Sequence, residues 1–164
     1  MPYRFTLVSR WQLENSAAAI WQLLSDTDAW PTWWQRVRCV KRAGSSPVGD
    51  VAVLHWRSAL PFGTRLRLTT VAVDRLQRLE SHAQGDLVGT GTWLIEPSEG
   101  GWVDVSYRWE VLLERRWMRA LSIVLRPLFE WNHFTGMRAA AVGMGRQLGC
   151  RMVHLSEWTG SRWP

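Results

Sequence analysis

Trp117 to Met152 reads WMRALSIVLRPLFEWNHFTGMRAAAVGMGRQLGCRM, and the way this run folds decides how the rest of the chain is arranged. It is long, it holds one internal proline, and it carries two apolar stripes that do not share a face. At 100° per residue, Trp117, Leu121, Val124, Leu125, Leu128, Trp131, Asn132, Thr135, Ala139 and Val142 form the first stripe, with Arg119, Arg126 and Glu130 opposite. From Met137 a second stripe runs through Ala141, Met144, Leu148, Met152 and Leu155, rotated by roughly half a turn from the first. Pro127 lacks an amide donor and favours a kink or a fresh start. The pattern therefore predicts a short helix near 117–126 and a long one from about 127 to 153.

Everything before this run reads as short strands between turns. Tyr3, Phe5, Leu7 and Trp11 alternate with Arg4, Thr6 and Arg10, the mark of a half-buried strand. Asn15 or Ser16 then caps a helix over Ala17–Ser25, and Pro31 suits the first turn of a second short helix holding Trp33 and Trp34. Strands follow at Val37–Lys41, Val51–Arg57, Thr64–Val73 with a bulge at Thr70-Val71, Gln77–Gln84 at an edge, and Leu87–Ile95. The longest is Trp102–Leu113, with Val103, Val105, Tyr107, Trp109 and Val111 on one face. One strand, two helices, about six strands and a terminal helix make an α+β fold with an antiparallel sheet. With no repeat, linker or low-complexity tract, residues 1–164 read as a single domain.

Composition narrows the function classes. Apolar residues make up 46% and charged residues 21%, a globular balance. No run approaches the ~20 apolar residues of a membrane helix, and the N-terminus has no apolar signal region, so a soluble cytoplasmic protein without membrane insertion is expected. Cys39 and Cys150 are far apart and read as reduced thiols. The net charge is +6, yet the arginines are scattered from Arg4 to Arg162 with no block longer than Arg115-Arg116, so specific nucleic-acid binding is not expected. The outward tryptophans Trp102, Trp158 and Trp163 could form a homodimer face or pack under the tail.

Four stretches carry a resemblance: WQLLSDTDAWPTWW at 21–34, LPFG at 60–63, GDLVGTGTW at 85–93 and WNHFTGM at 131–137. Together they resemble the START-like, or SRPBCC, superfamily of polyketide cyclase/dehydrase and lipid-transport proteins with the helix-grip fold. The likeness covers nearly the whole chain. It implies a curved antiparallel sheet of about seven strands around a long C-terminal helix, with two short helices after strand 1. It also implies a cavity between them for a hydrophobic ligand. Members differ widely in task, so fold alone does not settle function.

The chemistry in the sequence is sparse. His55, His82, His133 and His154 are isolated, and no Cys or His pair has metal-ligand spacing, so no metal and no cofactor is expected. The glycine-rich stretch at 85–91 precedes a strand-like run rather than a helix, which suits a curled sheet better than a phosphate loop. Trp56, Phe62, Trp93, Tyr107 and Trp109, from successive strands, with Leu66, could line a cavity or fill a core. From the helix, Leu121, Leu125, Leu128 and Asn132 would complete the ligand site. Asn132 sits on an apolar stripe and must find partners, in a ligand or in the fold; His133 falls on the other side, as a surface or second-helix contact. Tyr107 is the one inward acid/base candidate, and it is the residue a catalytic role would rest on. No arginine matches the catalytic pattern the resemblance would imply, because Arg65, Arg67 and Arg108 lie opposite their strands' apolar faces.

The expected function is binding of a lipid-like or polycyclic aromatic molecule in an internal cavity. The alternative is an aromatase/cyclase or dehydratase acting on a polyketide-type substrate. The helix near 117–126 and the LPFG loop would flank the entrance.

Overall fold

The computed structural model describes residues 3–44, 48–58, 63–113 and 116–160, with the side chains of Tyr3, Cys39, Lys41, Leu113, 116–123, Leu125 and Leu155 outside that description. Phe62 and most of the LPFG stretch therefore lie outside the described residues, as do the side chains of Leu121 and Leu125.

The eight strands are β1 (Tyr3–Leu13), β2 (Val37–Ala43), β3 (Val51–Trp56), β4 (Thr64–Asp74), β5 (Arg78–Gly85), β6 (Val88–Pro97), β7 (Val103–Leu113) and β8 (Met152–Thr159). They form one antiparallel sheet in the order β2-β3-β4-β5-β6-β7-β1-β8. Helices α1 (Ala17–Ser25) and α2 (Trp30–Trp33) sit between β1 and β2, and α3 (Arg116–Leu148) lies between β7 and β8. This is the helix-grip arrangement, with a register shift between Thr70 and Ala72 where the phase of the sequence changes.

Several expectations are corrected. The described residues hold eight strands rather than about seven. The eighth takes Met152 and Leu155 out of the helix, because α3 stops at Leu148 and Gly149, at φ 62°, turns the chain in the left-handed region. β5 is internal, between β4 and β6; the edges are β2 and β8. Pro127 does not divide the terminal run: one helix passes through it. A proline in that position withdraws one backbone donor, which a 33-residue helix packed along a sheet can tolerate.

Among the described side chains the first stripe on α3 divides, with Asn132 turned to the sheet and four apolar members turned to solvent. Val124 is 74% exposed, Trp131 51%, and Leu128 and Val142 39% each. The face turned to the sheet is Phe129, Asn132, His133 and Met137, a set at helical spacing that begins one residue past Leu128. The second stripe does hold the fold: Met137, Ala141 and Met144 are sealed in the core with Trp11, Leu13, Ile20 and Leu24.

Close packing fixes α3 in place. A Cβ on Gly143 would stand 2.0 Å from the Trp33 carbonyl oxygen, and one on Gly136 would stand 2.2 Å from the Trp56 ring. Only residues without side chains let α3 approach that closely. Trp34 Nε1 donates to the Gly136 carbonyl at 3.0 Å, and Trp30 Nε1 donates to the Leu24 carbonyl at 3.1 Å, so α2 is tied to both other helices. Ser16 caps α1 by accepting from the Ala19 amide.

Candidate functional site

Between α3 and the concave face of the sheet the packing opens into a cavity of about 130 Å³. At roughly 10–15 Å³ for each water position, that is space for on the order of ten waters. Its walls come from the inward positions of nearly every central strand. The sheet register shows why: residues of one parity meet across strands, so Leu54 faces Leu66, Leu68 faces Ala83, and Trp93 faces both Leu79 and Tyr107.

A belt of rings runs through the site. Trp34 meets Trp56 edge-on at 5.1 Å and Trp93 edge-on at 6.0 Å. Trp93 lies 4.5 Å from Tyr107, and Tyr107 stacks on His133 at 6.0 Å. Each such pair is worth about 0.5–1.5 kcal/mol beyond the area it buries. The belt therefore stiffens the wall and links α2, the sheet and α3.

Polar groups are few. Asn132 Oδ1 accepts from the Ser58 hydroxyl at 2.9 Å, which ties α3 to the segment after β3 while Asn132 still borders the cavity. Thus Asn132 has the structural partner its position required and a place at the site. His133, expected as a surface or second-helix contact, is half-buried and borders the cavity instead. Burial disfavours its charged form and lowers its pKa from 6.5 to about 3, so the ring is neutral at physiological pH. Its Nε2 is sealed off without a hydrogen-bond partner. Burial likewise holds the Tyr107 phenol above its ordinary value of 10. The Tyr107 hydroxyl is not among the sealed atoms and has no hydrogen bond within the described residues, so it opens onto the cavity. It sits where a Cβ on Gly91 would be, 2.4 Å away, which assigns that glycine a definite task.

Among the described residues that line the cavity, Asp50 is the one with a formal charge, and it is paired with Arg42. Among the described residues no group of His, Cys, Asp or Glu could hold a metal ion. No helix among them is long and apolar enough to cross a membrane.

The structure brings together Trp56, Leu66, Trp93, Tyr107, Trp109 and Asn132 around one space. It leaves Leu128 out, on the exposed side of α3. Sequence reasoning missed Trp30 and Trp34 from α2, Phe129, His133 and Met137 from α3, and the hydroxyl residues Thr70 and Ser81. The tryptophans had a signal in the WPTWW run. The hydroxyl residues had a weaker one, inward parity on their strands.

The fold has many solved counterparts at low identity. An aromatase/cyclase, Zhui from Streptomyces sp. R1128, aligns at TM-score 0.74 and 10% identity over 88% of this chain and 93% of its own. A START superfamily protein from Mycobacterium smegmatis aligns at 0.69 and 12%, over 88% and 97%. Norcoclaurine synthase from Thalictrum flavum aligns at 0.68 and 13%, over 91% and 97%. These likenesses establish the shared fold. A search of curated proteins finds no match. The profile described as polyketide cyclase / dehydrase and lipid transport matches residues 5–148, nearly the full run from β1 to the end of α3. On the strength of that match, the chain belongs to the polyketide cyclase/dehydrase and lipid-transport family.

Proposed function

We propose that this protein binds a hydrophobic, ring-containing or lipid-like small molecule in the cavity between α3 and the sheet. The observation that carries the reading is the cavity itself, about 130 Å³ walled by aromatic and aliphatic side chains with only a few polar groups. Burial of the ligand's apolar surface would supply most of the affinity, about 25 cal/mol per Å² before the costs of association. The chain acts in this reading as one ligand-binding domain in the cytoplasm, without nucleic acid. Pairing of Arg10, Arg42, Arg78, Arg108, Arg138 and Arg151 with carboxylates supports the last point, since paired guanidinium groups make a poor phosphate-binding face. A homodimer through Trp102 and Trp158 is compatible with it.

Titration with the neutral dye N-phenyl-1-naphthylamine tests the proposal. Its emission should rise and saturate near one equivalent, and Leu68→Trp, which fills the cavity, should weaken the rise at least tenfold. An unsaturated rise, or a wild-type curve matched by Leu68→Trp, contradicts it.

One observation favours a second reading, turnover of the ligand as an aromatase/cyclase or dehydratase. The Tyr107 hydroxyl opens onto the cavity beside a neutral imidazole. Burial makes that phenol a weaker acid than usual and His133 a weak base, so the pair suits hydrogen bonding to a substrate oxygen better than outright proton transfer. On this reading Tyr107→Phe lowers turnover of a polyketide-type substrate at least tenfold; undiminished turnover removes Tyr107 as the catalytic group.

A further inference from the structure

The polar side chains of the cavity wall are not scattered. Thr70 faces Ser81 across β4 and β5, Ser81 faces Gly91 across β5 and β6, and the Tyr107 hydroxyl occupies the space over Gly91. Two hydroxyls on adjoining strands, Thr70 and Ser81, and a third that reaches over β6 from Tyr107 on β7 thus stand in one rank across the sheet, about one strand spacing apart, which is near 4.8 Å. All three residues line the cavity. None of the three hydroxyls has a hydrogen bond within the described residues, and none is among the atoms sealed from solvent. The next rank along the strands is apolar throughout: Ala52, Leu68, Ala83, Gly89 and Val111.

We infer that this rank is a recognition rail for an uncharged ligand that carries two or more oxygens along one edge of an apolar body. A hydroxyl both donates and accepts, so each position can meet a carbonyl or a hydroxyl on the ligand. The spacing selects oxygens about one strand apart, as in a 1,3-relation on an aromatic ring, over oxygens on adjacent carbons. Charge selects as well. The described lining holds a carboxylate, Asp50, and no arginine or lysine, so an anionic ligand would lose its hydration without gaining a cation. An all-hydrocarbon ligand would strip water from three hydroxyls and leave them unpaired, which lowers its affinity. The inference rests on the binding reading proposed above and specifies which ligands that site accepts.

The test compares four compounds with one ring body: naphthalene, 1,3-dihydroxynaphthalene, 2,3-dihydroxynaphthalene and 2-naphthoate. Binding is followed by quenching of tryptophan emission and by calorimetry. The 1,3-diol should bind about thirtyfold more tightly than naphthalene, as expected for two well-placed hydrogen bonds of about fivefold each. The 2,3-diol should fall between them, and the naphthoate should bind most weakly. In Ser81→Ala and in Thr70→Val, the ratio of 1,3-diol to naphthalene affinity should drop about fivefold. Equal binding of naphthalene and both diols, an unchanged ratio in both variants, or tighter binding of the naphthoate overturns the rail while leaving the binding reading standing. Failure of every compound to bind overturns both.

Discussion

The two halves of α3 have opposite surroundings. Around Ala140, Ala141 and Met144 the helix is sealed by α1, α2 and the end of β1, and Gly143 lies against backbone. Around Phe129, Asn132 and His133 it borders open space on one side, and on the other it shows Val124, Leu128 and Trp131 to solvent. One half is built for stability and the other tolerates empty volume. A fold that hollows out one end needs a well-filled other end, since net stability is a small difference of large terms.

Substitutions sharpen that contrast. The largest expected effect is Met144→Ala, which empties a fully buried site and should lower unfolding stability by about 3 kcal/mol in denaturant melts. Leu66→Ala, beside the cavity, should cost about 1 kcal/mol, because part of its surface already faces open space. Equal losses would erase the distinction between the two ends.

Gly143→Ala comes next. Its methyl would press on the Trp33 carbonyl, so the helix or α2 must shift, at about 2 kcal/mol. A stable variant would show that the contact yields easily and that the sealed end is looser than its packing indicates.

His133→Phe should raise stability by about 1 kcal/mol, because it replaces a buried imidazole with a sealed, unpartnered nitrogen. It should also change the acid limb. The folded pKa near 3 lies below the ordinary 6.5, so the unfolded chain takes up the proton first. The stability this group contributes is present above about 6.5 and is lost as pH falls toward 3, at up to about 1.4 kcal/mol per pH unit. Melts from pH 7 to pH 4 should show a flatter decline in the variant; parallel declines would mean that His133 does not titrate this way.

Tyr107→Phe should move stability least, by under about 0.5 kcal/mol, because its hydroxyl has no hydrogen bond to lose within the described residues. A larger loss in thermal melts would mean that the hydroxyl is held within the fold.

How much of this was legible in the sequence differs between the same two regions. Strand parity on β7 and the inward positions of Trp56, Leu66, Trp93 and Trp109 followed from period-2 alternation, and the wall of the cavity largely follows from them. The sealed stripe through Met144 followed from helical spacing. The open half of α3 misled for a physical reason. A helix bordering a cavity on one side and carrying exposed Leu128 and Trp131 on the other has apolar residues all round, so periodicity cannot tell its faces apart. His133 lies on the side opposite the first stripe, which points to a surface or second-helix contact, whereas it packs against Tyr107 and Phe134 at the cavity. β8 was hidden because Met152 and Leu155 continue the helical phase; only Gly149 marked the stop, through a backbone conformation that spacing does not reveal.

The most direct test is a crystal structure of the protein grown with N-phenyl-1-naphthylamine. The account predicts ring density between Trp93 and Tyr107 on one side and Phe129 and Asn132 on the other. Density confined to the exposed stripe of Val124, Leu128 and Trp131, with the interior unchanged, would contradict it.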